Sequence, residues 1–154
     1  MQAVIFIGVQ GSGKTTFYKE RFFESYLRIS GDMLKTRHRE QTLLTACLVA
    51  KQPFVVDNTN VLEAQRARFI APAKAAGFRV IGYFFDCDPR EAFRRNNARP
   101  ARQVVPPAGV FGTFKRLQPP RLAEGFDELW IVRIEPTGGF AVQPYSEEEP
   151  AVHS

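Results

Sequence analysis

Eight residues near the start of the chain, Gly8-Val9-Gln10-Gly11-Ser12-Gly13-Lys14-Thr15, have the types and spacing to grip a polyanion. Glycines let the backbone turn tightly so that successive N–H groups converge on one point. A helix opening at Lys14 would set that point at the positive end of its dipole. An ammonium in this position can reach the β- and γ-phosphates of a nucleoside triphosphate, and the following hydroxyl is a hard oxygen ligand for Mg²⁺. The context that such a loop requires is present, with the apolar run Ala3-Val4-Ile5-Phe6-Ile7 before it and a helical pattern after it. Gly8, Gln10, Gly11, Ser12, Gly13, Lys14, Thr15 and Thr16 are therefore expected to hold the donor phosphates, with Thr15 on the metal.

Phosphate loops serve hydrolases, switches and kinases alike, so the companion residues decide the chemistry. No Asn-Lys-x-Asp run that could read guanine occurs. An AAA-type motor closes its metal-binding strand with Asp-Glu, the glutamate polarising water, whereas here the third apolar strand ends in Asp57-Asn58. That pairing favours transfer to an organic acceptor over hydrolysis. A transfer needs a base for the attacking hydroxyl, and Asp32 follows the second strand in Ile29-Ser30-Gly31-Asp32. At the carboxyl edge of an open α/β sheet, beside the phosphate loop, a carboxylate can accept that proton. The other use of such an aspartate is to cap the helix that follows. Its place beside the loop favours the base, and the two roles are compatible. Arg95 and Arg99, four apart at the end of a helix opening at Asp88-Pro89-Arg90-Glu91, share one face and could close over a triphosphate as a lid. The competing use is to complement that helix's dipole.

These groups need a scaffold, and the apolar runs alternate with helical patterns in the manner of an α/β parallel sheet covered on both faces. Strands are expected at 3–8, 26–29, 54–56, 78–85 and 128–134. Helices are expected at about 14–24, 32–50, from Asn60 to near Gly77, from Asp88, and at about 109–117. Asn60 and Glu63 form a plausible capping-box pair, and Pro72 should kink or interrupt the helix they open. Phe22 and Phe23 read as core, while Phe17, Tyr18, Phe111 and Phe114 are candidates for stacking on bases. Residues after Gly138 read as a loose tail. Domain boundaries are thus expected at 1–137 for a single kinase-sized domain, with a lid at about 90–108 and the tail at 138–154.

At 154 residues, 44% of them hydrophobic and 24% charged, the chain suits one globular domain. No apolar stretch approaches the ~20 residues that span a bilayer, and the N-terminal run lacks the layout of a signal peptide. Cys47 and Cys87 lack the spacing of zinc ligands and read as reduced thiols, so a cytoplasmic location is expected. The formal charge of +5 understates the local field, because residues 1–146 hold all 21 Lys and Arg but only 13 of the 16 Asp and Glu. Between Arg90 and Arg121 eight basic residues face a single acid, Glu91, which suggests an anionic partner.

The ordered set of Gly8–Thr15, Asp32, Asp57-Asn58-Thr59-Asn60 with Arg66-Ala67-Arg68, and Arg95-Asn96-Asn97-Ala98-Arg99 resembles the 5′-kinase domain of polynucleotide 5′-hydroxyl kinases. Val105-Pro106 and Leu122-Ala123-Glu124-Gly125-Phe126 extend the likeness to residues 3–134. This resemblance implies an adenylate-kinase-like P-loop NTPase fold, its five-stranded parallel sheet ordered 2-3-1-4-5. It implies ATP and Mg²⁺ as the donor complex and a nucleic acid with a 5′-OH end as partner. Lys14, Asp32, Arg95 and Arg99 would be catalytic, and Asp32, Lys35, Asp57, Asn58 and Asn60 would face the acceptor. Lys35 stands where the phage-type pattern has an arginine, a point charge in place of a bidentate fork, with Arg37 and Arg39 nearby as substitutes. The alternatives are a P-loop kinase for a small-molecule hydroxyl and a nucleotide-gated nucleic-acid-binding module without catalysis.

Overall fold

A computed structural model describes residues 1–98, 100 and 104–148. Arg99 and Arg102, which the sequence places in the lid, lie outside the described residues. The elements run β1 Gln2–Ile7, α1 Lys14–Arg21, β2 Leu27–Ile29, α2 Gly31–Leu34, α3 Arg37–Ala50, β3 Phe54–Val56 and α4 Glu63–Ala75. They continue with β4 Arg79–Phe85, α5 Pro89–Asn97, α6 Pro107–Arg116, a 3-10 turn Leu122–Glu124, β5 Glu128–Ile134 and β6 Phe140–Pro144.

The strands form one sheet in the order β2-β3-β1-β4-β5-β6. The first five are parallel, in the expected order, and β6 returns antiparallel to β5, with Ile134 opposite Phe140 and Trp130 opposite Pro144. The segment read as a loose tail therefore completes the sheet. Its alternating Phe140 and Val142 pack on the apolar cluster around Phe6, Phe17 and Phe85, which anchors the strand.

Side chains of β1 alternate between two cores. Ala3, Ile5 and Ile7 join Leu44, Phe69, Ile70 and Phe84 on one face, and Val4 and Phe6 join Phe17, Tyr18, Phe22 and Val132 on the other. The second core is a mesh of aromatic rings, with Phe6–Phe85 and Phe17–Phe140 centroids each 5.1 Å apart at steep interplanar angles. Edge-to-face pairs contribute about 0.5–1.5 kcal/mol beyond their burial. This mesh fixes α1, and with it the loop that α1 follows. Phe17 and Tyr18, expected as stacking candidates, are buried in this core, because the helix turns that face onto the sheet. Phe23, expected in the core, is 65% exposed, since α1 ends at Arg21 and the chain turns outward after the Phe22 cap.

Three further expectations give way to local geometry. The helix expected over 32–50 is two helices, broken where Lys35 takes φ 74° and Thr36 caps α3 by accepting from the Arg39 amide. Helix α4 starts from Leu62, whose amide donates to the Gln65 side chain, rather than from an Asn60–Glu63 box. Asn60 instead takes φ 47° and turns inward. Pro72 does not interrupt α4, because Phe69, Ile70 and Ala73 hold the helix against the sheet on both sides of it.

Candidate functional site

The phosphate loop leaves β1 at Gly8, whose amide donates to Thr59 O at 2.9 Å. Gly11 and Gly13 sit at φ 80° and 97°, a region that L side chains rarely adopt. At Gly11 space forbids a side chain as firmly as torsion does, and at Gly13 it is tight. A Cβ on Gly11 would meet the Ala92 carbonyl oxygen at 2.2 Å, and one on Gly13 would meet Ile134 and Phe140 atoms at 3.1 Å. Helix α5 thus lies directly on one side of the loop, and the β5–β6 hairpin on the other. Val9 packs with Ala92 and Val110, and Gln10 Nε2 donates to Thr113 Oγ1 at 3.3 Å, which ties the loop to α6.

Within this cradle the Lys14 ammonium is buried and donates to the Gly8 and Val9 carbonyls at 3.0 and 2.8 Å. Ser12 Oγ is buried without a hydrogen-bond partner among the described residues, an orphan that a phosphate oxygen would satisfy. Beside it the Thr15 hydroxyl donates to Asp57 Oδ2 at 3.0 Å. Asp57 stands at the exit of β3 and is itself buried. A hydroxyl and a carboxylate at the mouth of a loop built for phosphates are hard oxygen donors, and Mg²⁺ takes one or two such protein ligands with phosphate and water completing its shell. The residues fit that ion.

Arg28, not singled out by the sequence reading, completes this corner. Its Nε donates to Asp57 Oδ2 at 2.8 Å and its terminal nitrogen to Thr15 Oγ1 at 3.4 Å. The signal was a cation inside the apolar strand Leu27-Arg28-Ile29, on the side opposite the buried Ile29. Asp86 was also passed over. It ends β4, the strand beside the phosphate loop, and there binds Arg133 Nε at 3.0 Å.

Asp32 lies in the first turn of α2 and is exposed. The cap of that helix is Ser30, whose Oγ accepts from the Met33 amide at 3.4 Å, so Asp32 is released from the capping role that competed with catalysis. A short chain of bonds fixes its helix relative to the loop. The Gly31 amide donates to Asn58 Oδ1 at 2.7 Å, Asn58 adjoins Asp57, and Asp57 accepts from Thr15. Asn58 also donates to Glu40 Oε1 at 2.9 Å, so its side chain locks α2 and α3 onto the sheet edge. The structure thus brings Lys14, Thr15, Asp32, Asp57 and Asn58 to one carboxyl edge. Lys35 stands exposed near them, and Arg39 donates to Leu34 O at 3.2 Å, closing the end of α2.

Asn60 does not join them. Its Nδ2 donates to Phe6 O at 2.9 Å in a buried site, fixing the last turn of β1. Arg66 is likewise internal, fully buried, with Nε and a terminal nitrogen on the two Glu124 oxygens at 2.7 and 2.9 Å and a further bond to Asn60 O. On α5, Arg95 donates to Cys87 Sγ at 3.3 Å. Burial pushes the Cys87 thiol up, with the Arg95 charge opposing it. Neighbouring Asn96 exchanges two bonds with the Val105 backbone and so ties the approach to α6 onto α5.

Among the described residues no helix is long and apolar enough to cross a membrane. Solved structures share this fold at low identity. The gluconokinase of Sinorhizobium meliloti 1021 is 18% identical, with a TM-score of 0.59 over 86% of this chain and 82% of its own. Kti12 of Chaetomium thermophilum in complex with ADP-AlF3 is 16% identical, with a TM-score of 0.65 over 88% and 92%. The Mycobacterium tuberculosis APS kinase CysC in complex with AMPPNP and APS is 19% identical, with a TM-score of 0.53 over 90% of each chain. The sheet and its flanking helices are those of the P-loop kinase fold. At the level of sequence the match is to the AAA domain over residues 4–120, most of the chain, and the protein belongs to that family.

Proposed function

We propose that the protein is a kinase that moves the γ-phosphoryl group of ATP to the 5′-hydroxyl end of a polynucleotide. The observation that carries this reading is the bonded path from Asp32's helix through Asn58 and Asp57 to Thr15, which sets an uncapped carboxylate beside a phosphate loop. In the step, the acceptor oxygen attacks phosphorus in line as the bond to the β-phosphate oxygen breaks. The hydroxyl proton passes to the Asp32 carboxylate, and ADP departs.

Lys14 and the loop amides bind the triphosphate and stabilise its charge. Thr15 and Asp57 would hold Mg²⁺, which when bound neutralises charge on the phosphates. Arg95, carried by the helix that rests on Gly11, is assigned to the lid over the donor, and Arg99 is assigned with it from the sequence. Lys35 is assigned to a phosphate of the acceptor. Asn58 positions α2 and leaves the proton transfer to Asp32.

Support for phosphotransfer over hydrolysis comes from Asn58, which stands where a motor has its water-polarising glutamate. It comes also from the fold shared with a gluconokinase and an APS kinase. The same neighbours favour a second reading, a kinase for a small hydroxyl compound. The excess of basic residues between Arg90 and Arg121 favours the polynucleotide. Incubation with γ-labelled ATP, Mg²⁺ and a panel of 5′-OH oligonucleotides, nucleoside 3′-monophosphates and small alcohols separates the two. Label on the oligonucleotides, with affinity falling steeply as salt rises, is the expected result. Label confined to a small alcohol would establish the second reading instead.

A further inference from the structure

An open cleft of about 420 Å³ runs along the outer side of α1, lined by Thr15, Tyr18, Lys19, Phe23 and Arg28. Thr15 and Lys19 are one helical turn apart, and Phe23 follows after four more residues, just beyond the helix end. Thr15 and Lys19 stand about 6 Å apart along the axis at the helical rise of ~1.5 Å per residue, and Phe23 continues the line where the chain turns outward. At its inner end stands the Thr15–Asp57 pair, where the donor complex is assigned. At the rim, Arg28 reaches to within 4.0 Å of Met33 Sδ, the neighbour of Asp32. The cleft therefore opens toward the corner assigned to phosphoryl transfer.

Its chemistry is uncommon for a surface left to water. Phe23 is 65% exposed and Met33 50%, apolar surface with no core to join. Between them are two cations. Lys19 has no acidic partner among the described residues, and Arg28, one edge of which is held by Asp57, keeps part of its guanidinium open. An exposed ring combined with the unpaired charge of Lys19 and the partly open guanidinium of Arg28, whose other edge Asp57 holds, suits a single-stranded nucleic acid, whose bases stack on aromatic faces while its phosphates follow the cations. A protein helix would want a wider apolar face. A small neutral alcohol would leave Phe23 and Lys19 without a role, since both lie beyond the transfer corner.

We propose that this cleft is the acceptor track, with the 5′-hydroxyl at the Thr15 end, the first phosphates along Lys19 and Arg28, and a base stacked on Phe23. The inference rests on the polynucleotide reading above and adds to it a requirement for an unpaired 5′ end. Phe23→Ala and Lys19→Ala change exposed side chains, and titration with ATP alone checks that both variants stay folded and bind the donor. With γ-labelled ATP, Phe23→Ala is expected to raise the KM for a single-stranded 5′-OH oligonucleotide about tenfold. Lys19→Ala is expected to lessen the slope of log affinity against log salt by about 0.7. Wild-type protein should prefer the single strand to a blunt duplex of the same sequence.

If the wild type labels oligonucleotides but neither variant alters their KM or its salt slope, the track is wrong while the polynucleotide reading stands. An equal loss by Phe23→Ala with a mononucleoside acceptor and with the oligonucleotide would overturn the track as well, leaving a pocket for one nucleoside. Failure of the wild type to label any oligonucleotide, with transfer to another alcohol intact, would overturn both readings together.

Discussion

At the scale of single residues, the clearest division is between polar groups turned toward the sheet edge and polar groups turned inward. Asp57 and Lys14 are buried yet open to the loop's mouth, whereas Arg66 is sealed. A guanidinium away from water is tolerable only with its charge and donors matched, and the two-toothed pairing with Glu124 plus the bond to Asn60 O does this. Arg66→Ala should therefore lower unfolding stability by about 3–5 kcal/mol through the orphaned Glu124, read by denaturant titration. Arg66→Met with Glu124→Gln should recover much of that loss, as matched removal of both charges predicts. A loss under 1 kcal/mol in the single variant would contradict the account. Sequence could not sort these cases, because an arginine in a polar run reads alike whether it meets solvent or a distant glutamate. The placement of Lys14 and Asp32 at the carboxyl edge was legible, since the glycine loop after β1 leads to the one and a two-residue turn after β2 to the other. Arg28 was not, because its partners lie on other elements.

Among the elements, the phosphate loop is held by α5, α6, the β5–β6 hairpin and the Thr59 carbonyl after β3, as well as by its own strand and helix. The glycine requirement at position 11 comes from α5, whose backbone carbonyl at Ala92 stands where a Cβ would be. Unlike a flexible side chain, that carbonyl cannot turn aside, so Gly11→Ala must displace the helix or distort the loop. The positive φ adds about 1–3 kcal/mol of strain. We expect a lower melting temperature and ATP binding weakened at least tenfold, measured by thermal denaturation and nucleotide titration. Unchanged values in both would show that α5 does not rest on the loop. The strands and most helices were legible from apolar periodicity and from caps such as Asp88-Pro89, which the structure keeps as the start of α5. The helix break at Lys35 was not, since it depends on Asn58 and Glu40 drawing α2 and α3 onto the sheet edge.

For the molecule as a whole, a parallel sheet brings its carboxyl ends to one side, and the order β2-β3-β1-β4-β5 puts the loop between the Asp57 and Asp86 strand ends. The family membership fits this frame, and Asn58 in place of the glutamate of a motor is the residue on which the proposal of transfer turns. The last strand escaped the sequence reading because Phe140-Ala141-Val142 is short, follows two glycines and gains its stability only by pairing with β5 and packing on the aromatic core. Its consequence reaches the site, for Phe140 lies against both Gly13 and Phe17.

The proposed reaction stands or falls on one carboxylate at this edge taking the acceptor's proton, and Asp32→Asn is the variant that decides it. With a 5′-OH oligonucleotide and γ-labelled ATP, the variant should bind ATP as the wild type does and transfer phosphate at least a hundredfold more slowly, within the range that a positioned base contributes. Transfer at the wild-type rate by the asparagine variant would contradict the claim.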